Sequence, residues 1–514
     1  SLSVATVAEA VAELNAYEGR RFLLSDRGFA EFELRTGQTP DGFGIVDVNA
    51  PSLSLVYVPK NNTYYTSAFG VKSSSVSGID YTEEFQASIN ALPHGGRWVN
   101  DVDTTIAETV EININSKTRC TFTGEGLIQL KSGNTISNSK AMINATLCVD
   151  CDFSLNFDGN NQNASNNTNG TQGLIGCLYL TNCKRCDVFE SNIVNCNNVA
   201  IYLNNDCADC HVYNCHSVDC FGTDYKVGNN ARDCSIYDNR ATVTRNIHDE
   251  DYSGTGTTGK QDGFLGARFG VVNCKVYNNF CDNTNGTGSN QGICAFGGWY
   301  KGMAGTFESY GNTFIGADDS IQCYLEDGVE LDLLRLEDNC IGVESGDGGI
   351  VVGTVGSAVA SVEQLTINCS LVSYDGGGSL EANGGNFTVG SADVRLSGVI
   401  REGANALISD VDNTNVTGSI NHLGTSHAVN FQDSNNSSVL GMRITTGSQV
   451  ARSINLQDSS ACRIEGNRIK GNNNISIREL GSADNNIITG NICNTTVSST
   501  GANSVNINNL ENIT

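Results

Sequence analysis

The feature that most constrains this chain is a repeat. Cys186-Asp187-Val188-Phe189, Cys210-His211-Val212-Tyr213 and Cys234-Ser235-Ile236-Tyr237 recur at intervals of 24 residues, and Cys274-Lys275-Val276-Tyr277 continues the series after 40. A second series runs near the end. VNFQDS from Val429 and INLQDS from Ile454 are 25 apart, and Gly441, Gly466 and Gly490 open GMRI, GNRI and GNIC at the same step. Each unit holds four to six residues of alternating apolar and polar character, rich in Val and Ile and punctuated by Asn, Asp and Gly, which is the pattern of short strands. A period of about 24 without helical spacing is too short for most helical repeats or for propeller blades. It fits one coil of a parallel β-helix, each coil lying on the last at about 4.8 Å.

The repeat also bears on Cys183-x-x-Cys186 and Cys207-x-x-Cys210, whose spacing is that of a four-cysteine zinc site. In register, the first cysteine column continues as Ala231 and Val271, neither of which ligates zinc, while the second reads Cys186, Cys210, Cys234 and Cys274. The residues that follow, Asp187, His211, Ser235 and Lys275, are polar, so the thiols are expected to face inward with the next aliphatic residue. Residues three apart in an extended segment point to opposite faces about 10 Å apart, too far to share one metal unless a turn intervenes. Buried packing is the preferred role, with disulfides and a metal site as the rivals.

Composition narrows the partners. There are 56 acidic against 30 basic side chains, a net charge of −26, so phosphate backbones and anionic membrane surfaces are poor partners. Nucleic-acid binding is not expected. No apolar run reaches eighteen residues and the first twenty lack a charged head followed by an apolar stretch, so no membrane insertion is expected and the chain reads as soluble.

Residues 80–99, DYTEEFQASINALPHGGRWV, suggest an amphipathic helix. Thr82 is the expected N-cap, Glu83 and Glu84 fill the first turn, Phe85, Ile89 and Leu92 make an apolar stripe, and Pro93 with Gly95 and Gly96 stops it. This segment resembles the T-x-x-F-Q-x-A-I-N helix that caps the solenoid in pectate-lyase-like β-helix proteins. Upstream, the strand Gly19 to Ser25 and the segment Ala68-Phe69-Gly70-Val71 resemble the small head of bacteriophage tailspike and polysaccharide depolymerase proteins. The resemblance implies a right-handed parallel β-helix with a small N-terminal α/β head: head 1–75, capping segment 76–100 and β-helix 101–514. It implies a homotrimeric virion protein, attached to a phage tail or baseplate through the N-terminal region and acting at the host cell surface. Its polymer partner would be a bacterial surface polysaccharide.

Irregular coils are where a solenoid builds its site. The step from Cys234 to Cys274 exceeds one coil by 16 residues, and the excess lies in NIHDEDYSGTGTTGKQDG, with His248, Asp249, Glu250, Asp251 and Lys260. Trp299, one of two tryptophans, follows beside Tyr300. Aligning QDGFLGA, NQGICAF and DDSIQCY on Phe264, Ile293 and Ile321 as inward residues places Asp262, Gln291 and Asp319 in one column, with Asp318, Glu326 and Arg268 bordering it. Two carboxylates with one coil between them stand roughly 9 to 10 Å apart, at the upper edge of the spacing for inverting glycoside hydrolysis.

KQDGF and ADDSI also resemble in part the N-T-D-G and D-D-C motifs of polygalacturonase-type β-helix glycosidases. That resemblance implies Asp262 as general acid and Asp319 or Asp318 as base; no metal and no cofactor is expected. Trp299 or Tyr300 is the expected sugar platform, and Trp299 at a subunit interface is the rival. Three plainer roles compete with the catalytic one: turn formation by the Asp pairs, solvation of His248, and Ca²⁺ binding at 249–251. The expected activity is endo-hydrolysis of a bacterial surface polysaccharide. A lyase on a uronate polymer and a non-catalytic adhesin or structural fibre are the runners-up.

Overall fold

The computed structural model describes the chain apart from residues 1, 13–16, 49–52, 74–78, 107–110, 132–140, 161–174, 197, 221, 245–262, 285–295, 318, 343–347, 355, 375–377, 382–385, 401–405, 424–426, 448–451, 472–474 and 512–514. It divides into two compact units, one of Ser1–Gly222 and one built mainly from Thr223–Thr514. The fold is a right-handed parallel β-helix.

The first unit opens with a five-stranded sheet. In spatial order its strands are Leu2–Ala5, Arg21–Leu24, Ala30–Thr36, Leu53–Tyr57 and Ile45–Asp47, the first pair parallel and the rest antiparallel. Phe22, Leu24, Phe32, Leu34, Leu55 and Phe69 fill its core. The helix Thr82–Ala91 buries Phe85 and Ile89, with Leu92 just past its end, as the apolar stripe predicts. Phe85 packs edge-on against Trp98 at 4.9 Å, and the aromatic column continues inward to Phe122 and Phe153. The helix start differs from expectation. Thr82 is the first helical residue rather than the cap; Asp80 Oδ1 accepts from the Thr82 amide at 2.9 Å and from its hydroxyl.

Coils follow in strict register. Asp187–Phe189 pairs with His211–Tyr213, Asn192–Val194 with His216–Val218, and Gly176–Thr181 with Ile201–Asn204, all parallel. The corners between strands share one device. A residue in the left-handed region turns the chain, and the next residue points inward and donates to a carbonyl two positions back, or three back at Cys207, whose Sγ donates to Asn204 O at 3.1 Å. Asn182, Arg185, Asp206 and Asp209 have φ of 52°, 51°, 52° and 55°, and Cys183, Cys186, Cys207 and Cys210 follow them. Cys183 Sγ donates to Thr181 O at 3.5 Å, Cys186 Sγ to Lys184 O at 3.4 Å and Cys210 Sγ to Ala208 O at 3.4 Å. Asn and Asp tolerate that backbone better than other L-residues.

This device corrects one expectation. Cys183 and Cys186 do not point to opposite faces, because the left-handed Arg185 intervenes and brings both thiols inside, where each is 0% exposed. The 10 Å separation expected of an extended segment therefore fails. The inward placement itself holds: all 19 described cysteines are buried and none is in a disulfide.

The second unit repeats the same corners, with serine as well as cysteine. Asp433 and Asp458 are left-handed, and Ser434 and Ser459 donate to Gln432 O and Gln457 O, both at 2.9 Å. Inside the coils runs a polar ladder. Asn239 donates to Asn279 Oδ1, Asn279 to Asn312 Oδ1, and Asn312 to Asp338 Oδ1 through both its backbone N–H and its side-chain amide, at 2.8 to 3.1 Å. Ser309 Oγ donates to the other Asp338 oxygen at 2.6 Å. Burial pushes the Asp338 carboxyl up to about 6, against the lowering effect of these hydrogen bonds.

Two outcomes follow. Cys186→Ser is expected to cost less than about 1 kcal/mol in urea unfolding, since a hydroxyl at this corner keeps a carbonyl acceptor, whereas Cys186→Leu overfills the coil and costs about 1 to 3 kcal/mol. For Asp338 the folded-state carboxyl titrates above its unfolded value of about 3.9, so the folded state holds the proton longer and stability falls as pH rises from about 4 to about 6. Asp338→Asn removes that slope. Between about pH 4 and about pH 7.5 the variant is expected to gain about 2 to 3 kcal/mol on the wild type in denaturant titrations.

Candidate functional site

Of the expected site residues that are described, Arg268, Trp299, Tyr300 and Asp319 fall on one sheet of the second unit, with Glu326 just past the end of one of its strands. Its strands are Tyr225–Gly228, the first part of Leu265–Tyr277, the first part of Phe296–Ala317, then Asp319–Leu325 and Gly348–Thr354. The connections 243–264 and 283–295 both run into strands of this sheet. Inside-facing positions alternate with outward ones: Ile321, Cys323 and Leu325 are 0% exposed, which leaves Gln322 and Tyr324 outward.

Two outward columns result. One reads Lys226, Gly266, Trp299, Gln322 and Val351; the other reads Gly228, Arg268, Lys301, Tyr324 and Gly353. The Arg268 guanidinium lies over the Trp299 ring, 3.0 Å from its centroid. The Lys226 stem crosses Gly266, where a Cβ would meet its Cγ at 3.4 Å. Lys301 Nζ pairs with Glu326 Oε1 at 3.1 Å, both side chains partly exposed. Gly302, at φ 66°, makes that approach possible, because a Cβ there would sit 2.7 Å from Glu326 Oε2. A shallow depression of about 410 Å³ lies beside this pair, lined by Lys301, Glu326, Asp327, Ser357 and Ala358.

The column expected from sequence needs correction. Leu265, not Phe264, stands in register with Gly298 and Ile321. Asp319 stands opposite Phe296, not Gln291, and opposite Gly348 in the following coil. The glycine-rich connections hid the true offset, since they carry no apolar period to count. Tyr300 is also misplaced as a sugar platform. It is 0% exposed, its hydroxyl bonds to Ser309 Oγ at 3.1 Å, and its ring packs on Phe307. Burial pushes its phenol well above the ordinary range. Alternation decides this: Trp299 faces out, so its neighbour faces in.

Trp299, Arg268 and Glu326 are thus brought together on one outward strip. His248, Lys260, Asp262, Gln291 and Asp318 lie outside the described residues, as does the acidic run 249–251, and for Asp319 only the backbone register is described. Lys226, Lys301, Gln322 and Tyr324 were missed. Each is an outward position of a strand, a signal available once the register is right.

Two other features contain none of the expected residues. In the first unit Asp152 stands opposite Asp187, and Asp187 opposite His211, on another outward face beside the stacked Phe189 and Tyr213 rings. Burial raises both carboxyls above their ordinary range. A cleft of about 710 Å³ lies between the head strands, through Phe43, Ile45, Val56 and Tyr57, and the helix, through Glu83, Gln86, Ala87 and Asn90.

No family model and no curated protein matches the sequence. Among solved structures, the chain is similar to the tailspike protein gp49 of Acinetobacter baumannii bacteriophage Fri1, a capsular polysaccharide depolymerase, at 9% identity over 92% of this chain and 75% of that one, with a TM-score of 0.41. It is similar to a tailspike protein of E. coli bacteriophage HK620 in complex with a pentasaccharide at 10% identity, over 83% and 85% of the two chains, with a TM-score of 0.43. The endo-xylogalacturonan hydrolase of Aspergillus tubingensis matches at 13% identity over 87% and 100%, with a TM-score of 0.31. Likenesses this distant say nothing of the activity of this chain.

Proposed function

We propose that this chain is a polysaccharide-degrading β-helix enzyme of the phage tailspike kind, which hydrolyses glycosidic bonds of a bacterial surface polysaccharide along the outward strip around Trp299. The observation that carries this reading is the strip itself. Flat parallel strands at about 4.8 Å spacing present Trp299, Gln322 and Tyr324 together with the Lys301–Glu326 pair. Aromatic, amide and charged groups on an open surface suit a polymer of sugar rings.

In this reading Asp262 protonates the leaving oxygen and Asp319 or Asp318 activates water. Glu326, held by Lys301, is the fourth carboxylate of the site. His248, Lys260 and Gln291 contribute to binding from the connections that run into the sheet. The head of residues 1–75 attaches the protein to a phage tail or baseplate, residues 76–100 cap the solenoid, 101–514 form the β-helix, and three copies assemble in the virion.

Incubation with a panel of capsular and O-antigen polysaccharides tests the activity. New reducing ends without ultraviolet-absorbing double bonds are expected. Unsaturated ends would instead establish a lyase, and retained polymer with measurable binding an adhesin. Asp262→Asn and Asp319→Asn are each expected to lower turnover by about 10²- to 10⁴-fold, the usual worth of a general acid or base. Glu326→Gln is expected to lower it as well, and Trp299→Ala to raise KM by weakening binding; full turnover in both Asp variants would reject the assignment.

A further inference from the structure

The later coils of the second unit gather basic side chains at one corner. Strand Thr414–His422 ends there and His427–Gln432 begins; one coil on, Arg443–Thr446 ends and Arg452–Gln457 begins. In register, His422 stands opposite Thr446 and His427 opposite Arg452, with about 4.8 Å between the paired backbones. His422 and Thr446 are buried, and His427 and Arg452 are half-buried. In the following coil Gly471 stands opposite Thr446 and Ile475 opposite Arg452, so the polar lining of the corner ends there. Arg478 approaches from the position opposite Asn455.

Two atoms at this corner call for a ligand. His427 Nδ1 and Thr446 Oγ1 are buried and meet no hydrogen-bond partner among the described residues. Burying such groups costs free energy unless a partner is supplied. The charged groups that face the His427 ring are cations. Burial, then Arg452, Arg478 and His422, hold its imidazole below the ordinary range. Glu479, next to Arg478 in the chain, is turned to other donors: it is buried and accepts from Asn486, Ser499 and Ser504. The connections 423–426, 447–451 and 472–474 contain no acidic residue, and 401–405, one coil earlier, contains Arg401 with Glu402. Residues 401–405 lie outside the described residues.

We infer that this corner binds one monatomic anion of the chloride class, held by the His427 imidazolium, the Thr446 hydroxyl and the Arg452 guanidinium. The site shares no residue with the Trp299 strip and does not depend on its role. An anion accepts from the hydroxyl and from a protonated imidazole, and it offsets the gathered positive charge. Donors on adjacent coils stand one strand spacing apart. A monatomic ion bridges that gap, whereas a tetrahedral oxyanion would have to part the coils. Binding tightens as the pH falls from about 7 to about 5, because only the charged ring donates through both of its nitrogens.

Chloride-35 NMR of the whole chain at about pH 5.5 tests this, with sodium chloride as the probe and sodium gluconate holding the ionic strength constant. Line broadening that saturates, and that bromide reverses by competition, is expected. Thr446→Val and Arg452→Gln are each expected to weaken it about tenfold. Arg463→Gln removes an equal charge from a cation paired with Glu465, and is expected to leave the broadening unchanged. Urea unfolding of Thr446→Val gives a second readout, since valine keeps the shape of threonine. In gluconate the variant loses only a hydroxyl without a partner, so its midpoint equals or exceeds that of the wild type. In about 0.2 M chloride its midpoint falls below the wild type, because the wild type alone gains from the bound ion. Equal broadening in the wild type and both variants, or the same ranking of Thr446→Val against the wild type in the two salts, overturns the inference.

Discussion

Everything in this molecule depends on how the chain turns each corner. A coil has to change direction between short strands without leaving buried carbonyls unpaired, which would cost about 1 to 3 kcal/mol each. The answer is one residue in the left-handed region followed by a small inward side chain that donates to the carbonyl two positions back. Cys186 does this for Lys184 and Ser434 does it for Gln432. A thiol is the weaker donor but tolerates apolar neighbours, which fits its place among Val188, Val212 and other aliphatic residues. Cysteine and serine are two solutions to one geometric demand, and both occur in early and late coils, as Ser191 and Cys462 show.

Once the corners are fixed, alternation along the strands decides what meets solvent. Trp299 is outward and Tyr300 inward for no reason beyond their order in the strand. Parallel register then stacks outward residues from successive coils, so Lys226, Arg268 and Lys301 gather although they are far apart in sequence. Glycine at Gly302 admits the Glu326 carboxylate, which a Cβ there would meet at 2.7 Å.

Much of this was legible in the amino-acid order. The 24-residue spacing of Cys186, Cys210 and Cys234 set the coil length and the inward face, and Phe85, Ile89 and Leu92 marked the buried stripe of the helix. What escaped has physical causes. The inward turn of both cysteines in Cys183-x-x-Cys186 depends on φ of Arg185, a residue with no marked preference for that region, so strand alternation misled. The pairing of Asp319 with Phe296 lay beyond connections of variable length, where no repeat remains to count. Thr82 carries the hydroxyl of a cap, yet it is itself the first helical residue, and the carboxylate of Asp80, two residues earlier, accepts from the Thr82 amide.

Thiol accessibility tests the central claim most directly: that recurrent small side chains line the interior and the Trp299 strip faces out. Treat the native protein with a water-soluble maleimide, with and without a cysteine introduced as Gln322→Cys, and map the adducts by mass spectrometry. The account predicts rapid modification at position 322, with Cys183, Cys186, Cys207, Cys210 and Cys234 modified only after unfolding. Rapid labelling of those five in the folded protein, with position 322 shielded, would contradict it.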